Sequence, residues 1–155
     1  MLIVQKYGGT SVGNVERIDA VAARVIESKK AGHDLVVVVS AMSGETNKLL
    51  EFAGFFSQTP NHREVDMLLS SGERVTSALL AIALEAKGYP AVSMSGRRAG
   101  IVTDTIHTKA RIEYIDTTEM KKTLGEGKII VVAGFQGVSD NDEVTTLGRG
   151  GSDLS

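Results

Sequence analysis

Continuous apolar runs and segments with helical spacing alternate along the chain. The runs at residues 35–39 and 129–133 are rich in β-branched side chains, which is typical of parallel strands buried on both faces. A shorter run at residues 2–6 predicts a first strand. Residues 14–32 show helical spacing, and they begin with an asparagine suited to capping a helix and end with a glycine suited to stopping one. Residues 2–39 therefore predict a strand–helix–strand crossover unit.

The rest of the chain continues the alternation. Helical spacing over residues 62–87 predicts a long helix, with a candidate interruption at residues 70–72. We expect an α/β fold of one domain, in which a mainly parallel central sheet is flanked by helices on both faces. The other predicted elements are a helix at 46–57, a strand at 91–94, loops and short strands at 95–111, a strand at 112–115, a helix at 117–124 and a polar hairpin tip at 139–143.

Composition and charge narrow the class of protein. The 155 residues carry a net charge of −2, so no broad basic surface for nucleic acid is expected. The absence of cysteine excludes disulfides, thiolate metal sites and a cysteine nucleophile, and it fits a reducing, cytoplasmic environment. No uninterrupted apolar run reaches the roughly 18 residues expected of a membrane span, and the first residues lack the pattern of a signal peptide.

Unusual loops follow three of the predicted strands. They are residues 6–11, 40–47 and 134–137, and a fourth glycine cluster, residues 148–153, precedes a candidate helix start. The ends of parallel strands meet at one edge of a sheet, where backbone amides of glycines, aided by a lysine and an arginine, can approach an anion. This combination predicts a phosphate site. The common phosphate loop, the dinucleotide fingerprint and the protein-kinase motifs are absent from the sequence.

Four stretches carry a more specific resemblance. KYGGTSV at 6–12, VVVVSAMSGETNKL at 36–49, SSGERVTSALL at 70–80 and TTLGRGGSD at 145–153 resemble aspartate kinase, a member of the amino acid kinase superfamily. The resemblance implies an αβα sandwich of that family. It also implies transfer of the γ-phosphoryl group of ATP to the β-carboxylate of L-aspartate, the first step of lysine, threonine and methionine biosynthesis. Mg²⁺ is expected to arrive with ATP, held by phosphates and water rather than by protein ligands.

The resemblance also implies roles for individual residues. Lys6 would stabilise the transferring phosphoryl group, and Asp153 would orient the active-site lysines. Glu73 would accept hydrogen bonds from the α-ammonium of aspartate, and Arg149 would clamp a carboxylate of aspartate. The nucleotide-binding residues would be Lys6, Tyr7, Gly8, Gly9, Thr10 and Ser11. The aspartate-binding residues would be Ser40, Thr46, Glu73, Phe135, Arg149, Gly150, Gly151 and Ser152, with Gln136 and Gly137 lining the same pocket.

Most of these residues also have an ordinary structural interpretation. A lysine at a strand end can be solvated, and hydroxyls such as those of Ser40 and Thr46 commonly serve turns and caps. Two alternative functions stay open. One is a related kinase acting on glutamate, N-acetylglutamate, carbamate or UMP, and the other is a lobe that binds an amino acid without catalysis.

The resemblance has consequences for the organisation of the whole enzyme. In the family, a nucleotide-binding half and then ACT regulatory domains follow the glycine-rich loop at 148–153, whereas this sequence stops at Ser155. We therefore expect residues 1–155 to form the N-terminal, aspartate-binding lobe of a homo- or hetero-oligomeric enzyme. We expect this segment alone to lack the adenine and ribose site and to be inactive or nearly so.

Overall fold

A parallel four-stranded sheet forms the centre of the protein in the computed structural model, which describes residues 1–148. Its strand order is β1-β2-β6-β3, and all three pairings are parallel. The elements are β1 Leu2–Tyr7, α1 Val15–Lys30, β2 Asp34–Val39, α2 Glu45–Phe56, α3 His62–Ala86, β3 Ala91–Met94, β4 Ile101–Thr103, β5 Ile112–Ile115, α4 Thr118–Gly125, β6 Ile129–Ala133, β7 Gln136–Ser139 and β8 Val144–Thr146. The predicted α/β class with a mainly parallel sheet is confirmed.

The alternation of side chains along β2 and β6 explains the two layers of helices. Val37 and Val131 face one side of the sheet, where they pack in a cluster with residues of α1 and α3. Val38 and Val132 face the other side, where they pack with α4 and β4. The sheet is not fully covered at β1, because Leu2 and Val4 are 56% and 62% exposed. Asn14 caps α1 as predicted, since its side chain accepts a hydrogen bond from the Arg17 amide at 2.9 Å.

The long helix α3 is continuous, so the expected interruption at residues 70–72 is wrong. The hydroxyls of Ser70 and Ser71 donate back to the carbonyls of Met67 and Leu68, at 3.1 and 2.6 Å, and are satisfied within the helix. By its length of 25 residues and its apolar composition alone, α3 would qualify as a membrane span. Half of its most apolar window is buried inside the protein, and the helix packs against α1, β3 and β8, so we interpret α3 as a core helix.

A second sheet, which the sequence pattern did not predict, extends from the end of β6. Its strand order is β5-β4-β7-β8, and it contains the antiparallel hairpin β7–β8 whose polar tip was predicted at 139–143. Residues 134–137 were expected to form a loop, but Gln136 and Gly137 already belong to β7. The second sheet matters because β8 leads directly to the glycine-rich segment that begins at Gly148.

Candidate active site

The loops after β1, β2 and β6 meet at one edge of the parallel sheet, as predicted from their positions in the sequence. The Ser40 amide donates to the Tyr7 carbonyl at 3.1 Å, and the Gly134 amide donates to the Val39 carbonyl at 3.0 Å. These hydrogen bonds extend the parallel ladder by one residue beyond the strands. The starts of all three loops are therefore fixed relative to one another by backbone geometry.

Ala41 joins three of the predicted site segments. The Ser43 amide donates to the Gly9 carbonyl at 3.1 Å, so the loop after β2 lies against the loop after β1. A Cβ atom on Gly9 would lie 3.0 Å from the Ala41 carbonyl oxygen, and one on Gly72 would lie 2.9 Å from the Ala41 Cβ. A side chain at either position would force neighbouring atoms to move, so glycine favours this close approach. Helix α3 thereby brings Glu73, which follows Gly72, underneath both loops.

Glu73 is a buried carboxylate with spare capacity for a ligand. Its side chain belongs to a residue that is only 4% exposed, and Oε2 has no hydrogen-bond partner among residues 1–148. Burial raises the pKa of Glu73 to about 7, although the backbone amides of Glu73 and Ala41 partly oppose this shift. A buried carboxylate oxygen without a partner is costly, and a cation placed beside it would both satisfy it and favour its ionised form.

The loop after β1 has the backbone features of an anion site. The Ser11 amide donates to the Gly8 carbonyl at 3.0 Å, which closes a tight turn. Within residues 1–148, the amides of Gly9 and Thr10 donate to no backbone carbonyl, so both can serve an external acceptor. Space is open at Gly8, where an added Cβ would meet nothing within 4 Å. These features fit the phosphates of a nucleotide.

Side chains around this loop supply charge and support. Lys6 lies at the end of β1, and the Arg17 guanidinium donates to the Thr10 carbonyl at 2.9 Å. The Tyr7 side chain packs against the α1 side of the sheet, and its hydroxyl donates to Gln5 Oε1 at 3.2 Å. Burial raises the pKa of the Tyr7 hydroxyl, an effect that the nearby Arg24 partly offsets. A contact between Tyr7 and a nucleotide would therefore use its backbone.

The predicted hydroxyl ligands lie on the segment 40–46, which packs against α3 at Gly72. Ser40 follows β2 directly and is partly buried, as is Thr46 in the first turn of α2. That turn lies next to α3, because an added Cβ at Gly72 would lie 3.9 Å from the Cγ of Glu45. Ser40 and Thr46 thus lie on a segment that packs against the turn of α3 carrying Gly72 and Glu73, and their assigned roles stay predictions.

The loop after β6 is held in a conformation that non-glycine residues seldom adopt. Phe135 has a φ of +67°, and its carbonyl accepts a hydrogen bond from the Leu147 amide at 2.9 Å. Gln136 does not present its amide to this site: it is 1% exposed, and its Nε2 donates to the Ser70 carbonyl at 2.8 Å. Gln136 and Gly137 instead line a separate cleft of about 380 Å³ between α3 and the β7–β8 hairpin.

Five predicted residues lie outside the described part of the chain. They are Arg149, Gly150, Gly151, Ser152 and Asp153. Within residues 1–148 no group of three histidine and acidic side chains is arranged to hold a metal ion. The assignments of nucleotide, aspartate and magnesium ligands therefore stay predictions at this stage.

Sequence reasoning missed one polar centre next to the site. Asp66, on α3 and fully buried, accepts hydrogen bonds from His107, Thr108 and Thr146. The sequence did carry a signal, because Asp66 interrupts the apolar face of the predicted helix between Val65 and Leu69. An acidic residue in such a position must find donors from other segments.

The match to known proteins agrees with this architecture. A match to the amino acid kinase family covers residues 1–155, and the chain belongs to that family. Within it, the chain is 58% identical to an aspartokinase of Geobacillus stearothermophilus over 99% of its length. It is 57% identical to an aspartokinase of Helicobacter pylori over 100% of its length. The predicted resemblance to aspartate kinases is thereby confirmed.

Solved structures show the same similarity. Aspartate kinase from Synechocystis is 49% identical and superposes with a TM-score of 0.82 over 99% of the chain, which is 25% of that protein. Escherichia coli aspartokinase III in complex with aspartate and ADP has a TM-score of 0.83 at 22% identity, over 99% of this chain and 45% of that protein, and it shows the shared fold. The chain spans about 38% of the length of the curated relatives that it matches.

Proposed function

We propose that residues 1–155 form the aspartate-binding lobe of an ATP-dependent aspartate kinase, which transfers the γ-phosphoryl group to the β-carboxylate of L-aspartate. The observation that carries the proposal is Glu73, a buried carboxylate with an unpartnered oxygen, held beneath the loops after β1 and β2. An amino acid substrate brings an ammonium group, which is the cation that such a carboxylate can bind.

The remaining roles follow from the chemistry of the reaction. The acceptor carboxylate of aspartate is ionised at neutral pH, because its pKa is near 4, so no general base is needed. The protein has to hold two anions together and to offset the charge that spreads over the transferring group. Lys6 and the amides of Gly9 and Thr10 would contact the phosphates, with Lys6 oriented by Asp153. Arg149 would bind a carboxylate of aspartate.

ATP supplies the phosphoryl group as a substrate, with Mg²⁺ held mainly by its phosphates and by water. The aspartokinase III structure with aspartate and ADP supports this pair of ligands, since that protein has the same fold. We also propose a cytoplasmic location, a role in the biosynthesis of lysine, threonine and methionine, and oligomeric assembly. Because the chain spans 38% of its curated relatives, the activity is proposed for the complete enzyme that carries this segment.

The test is ADP release from MgATP by that complete enzyme and by residues 1–155 alone. L-aspartate would be compared with L-glutamate, N-acetyl-L-glutamate, carbamate and UMP. We expect release that depends on L-aspartate and that is lost in Lys6→Met. Preference for another acceptor in the panel would assign a related kinase. Calorimetric binding of L-aspartate without ADP release by the complete enzyme would favour the amino-acid-binding lobe without catalysis.

A further inference from the structure

Asp66 is the most highly connected buried acid among residues 1–148. It is 0% exposed, and its carboxylate accepts a hydrogen bond from Thr146 Oγ1 at 2.5 Å. The Thr108 amide donates to both carboxylate oxygens, at 3.0 and 3.2 Å, and His107 Nδ1 lies 2.6 Å from Oδ2. One side chain of α3 thereby joins the segment after β4 and the strand β8, which are far from it in the sequence.

The segment that Asp66 holds includes an unfavourable backbone conformation. Thr108 has a φ of +67°, which a β-branched residue rarely adopts. Such a conformation persists only where surrounding contacts fix it, and here the Thr108 amide is bound by both oxygens of Asp66. A carboxylate can only accept, so Nδ1 of His107 is the donor in its contact with Asp66.

A short series of hydrogen bonds connects Asp66 with the candidate active site. The Thr146 hydroxyl binds Asp66. The Thr146 carbonyl accepts a hydrogen bond from the Ala110 amide at 3.0 Å. The next residue, Leu147, donates its amide to the Phe135 carbonyl at 2.9 Å. The chain then continues through Gly148 toward Arg149. Asp66 therefore fixes the point from which this predicted aspartate-binding segment starts.

Asp66 also fixes that point relative to Glu73. The two acids are seven residues apart on α3, so they lie two turns apart along the same side of one continuous helix. We propose that Asp66 is a positioning residue that sets the end of β8 at the distance from Glu73 that L-aspartate requires. This inference rests on the proposed function for its ligand, whereas the placement of β8 by Asp66 does not.

The test changes Thr146 rather than Asp66, because replacing Asp66 would leave donors from three residues unpartnered in the interior. Thr146→Val removes one donor to Asp66 and keeps the volume, and Thr146→Ser restores the hydroxyl. Thr145→Val is the matched control: Thr145 is equally buried, on the neighbouring position of β8, and its Oγ1 pairs with Thr103 Oγ1 at 2.6 Å. The controls therefore separate loss of this bond from loss of a buried hydroxyl in general.

The first readout is amide hydrogen exchange in the complete enzyme. We expect the amides of Thr108, Ala110 and Leu147 to exchange about tenfold faster in Thr146→Val, and to return to the original rates in Thr146→Ser. The second readout is steady-state kinetics of the complete enzyme. We expect Thr146→Val to raise KM for L-aspartate about tenfold, with KM for ATP within twofold, and Thr145→Val to leave both KM values within twofold.

Two results would overturn the proposal. One is unchanged exchange at Thr108, Ala110 and Leu147 in Thr146→Val, and the other is an equal rise of KM for L-aspartate in Thr145→Val. Failure of the proposed function is recognised separately. In that case the unaltered complete enzyme neither binds nor phosphorylates L-aspartate, and the exchange rates alone decide whether Asp66 positions the end of β8.

Discussion

The candidate site has two halves that are held in place by different means. The first, which we call the parallel-sheet half, comprises the loops 6–11 and 40–46 and Glu73. It is fixed by backbone hydrogen bonds between neighbouring strand ends and by the contacts of Gly9 and Gly72 with Ala41. The second, which we call the hairpin half, comprises Phe135 and residues 147–148, at the base of the β7–β8 hairpin. It is fixed by the backbone bond from Leu147 to Phe135 and by the buried side chain of Asp66, which binds Thr146.

The two halves therefore differ in how well they should tolerate substitution of the residues that hold them in place. Backbone bonds between parallel strands do not depend on side-chain identity, so the parallel-sheet half depends mainly on having room for close approach. The hairpin half also has backbone bonds, but its connection to α3 depends on side chains. These are the Asp66 carboxylate, with its donors from His107, Thr108 and Thr146, and the Gln136 amide, which binds the Ser70 carbonyl. Substitutions that disturb one half should therefore leave the backbone of the other largely unchanged, and the predictions below test that separation.

The largest expected effect concerns the ligand of the parallel-sheet half. Glu73→Gln removes the negative charge that would bind the ammonium group of L-aspartate. Losing one member of a buried charge pair costs about 2–5 kcal/mol, so Kd at pH 8 should rise at least roughly 30-fold. Isothermal titration calorimetry on the complete enzyme measures this directly.

The pH dependence of the same binding provides the control. Because the pKa of Glu73 is raised to about 7, its ionised form is lost below that pH. The Kd of the unaltered protein for L-aspartate should therefore rise about tenfold for each pH unit below 7. Glu73→Gln should show no such rise between pH 5 and 8. A similar pH profile in both proteins would mean that Glu73 does not bind the ammonium group.

The raised pKa of Glu73 should make folding stability fall as pH rises, whereas the binding of L-aspartate should strengthen. The folded state holds the Glu73 proton up to about pH 7, whereas the unfolded chain releases it near 4.5, so stability is lost as pH rises between these values. The full shift corresponds to at most about 3 kcal/mol at pH 8. Glu73→Gln should therefore be more stable than the unaltered protein at pH 8 and nearly equal to it at pH 4.5. Urea unfolding at both pH values checks this, and equal stability at pH 8 would contradict it.

The parallel-sheet half was far easier to predict from the sequence than the hairpin half. Continuous β-branched runs identified β2 and β6, and loops that directly follow parallel strands must meet at one edge, so Lys6 and Ser40 could be grouped without a structure. Local pattern also predicted a helix over 62–87, within one residue of the observed α3. It could not show that Ser70 and Ser71 bond within that helix, because their preference for turns suggests a break.

The hairpin half could not be predicted, because its contacts join residues distant in sequence. The bond between Asp66 and Thr146 spans 80 positions, and Gln136 reaches Ser70 across 66. Nothing in the local pattern around Thr146 indicates an acidic partner on α3. Phe135, at the junction of the two sheets, likewise has a positive φ that a phenylalanine in the sequence does not indicate.

The smallest expected effect tests the separation of the two halves through a matched pair of glycines. Gly72→Ala places a Cβ 2.9 Å from that of Ala41, which has to move, so we expect a loss of about 1–3 kcal/mol of unfolding free energy. Gly54→Ala, on the exposed side of α2 with nothing within 4 Å, should gain about 0.5–1 kcal/mol from helix propensity. Urea unfolding measures both changes.

In hydrogen exchange, Gly72→Ala should speed exchange at the Ser43 amide, which binds Gly9, and leave the Leu147 amide unchanged. Equal acceleration at Ser43 and Leu147 would show that the two halves respond as one unit, because α3 would then transmit the displacement of Ala41 to Asp66.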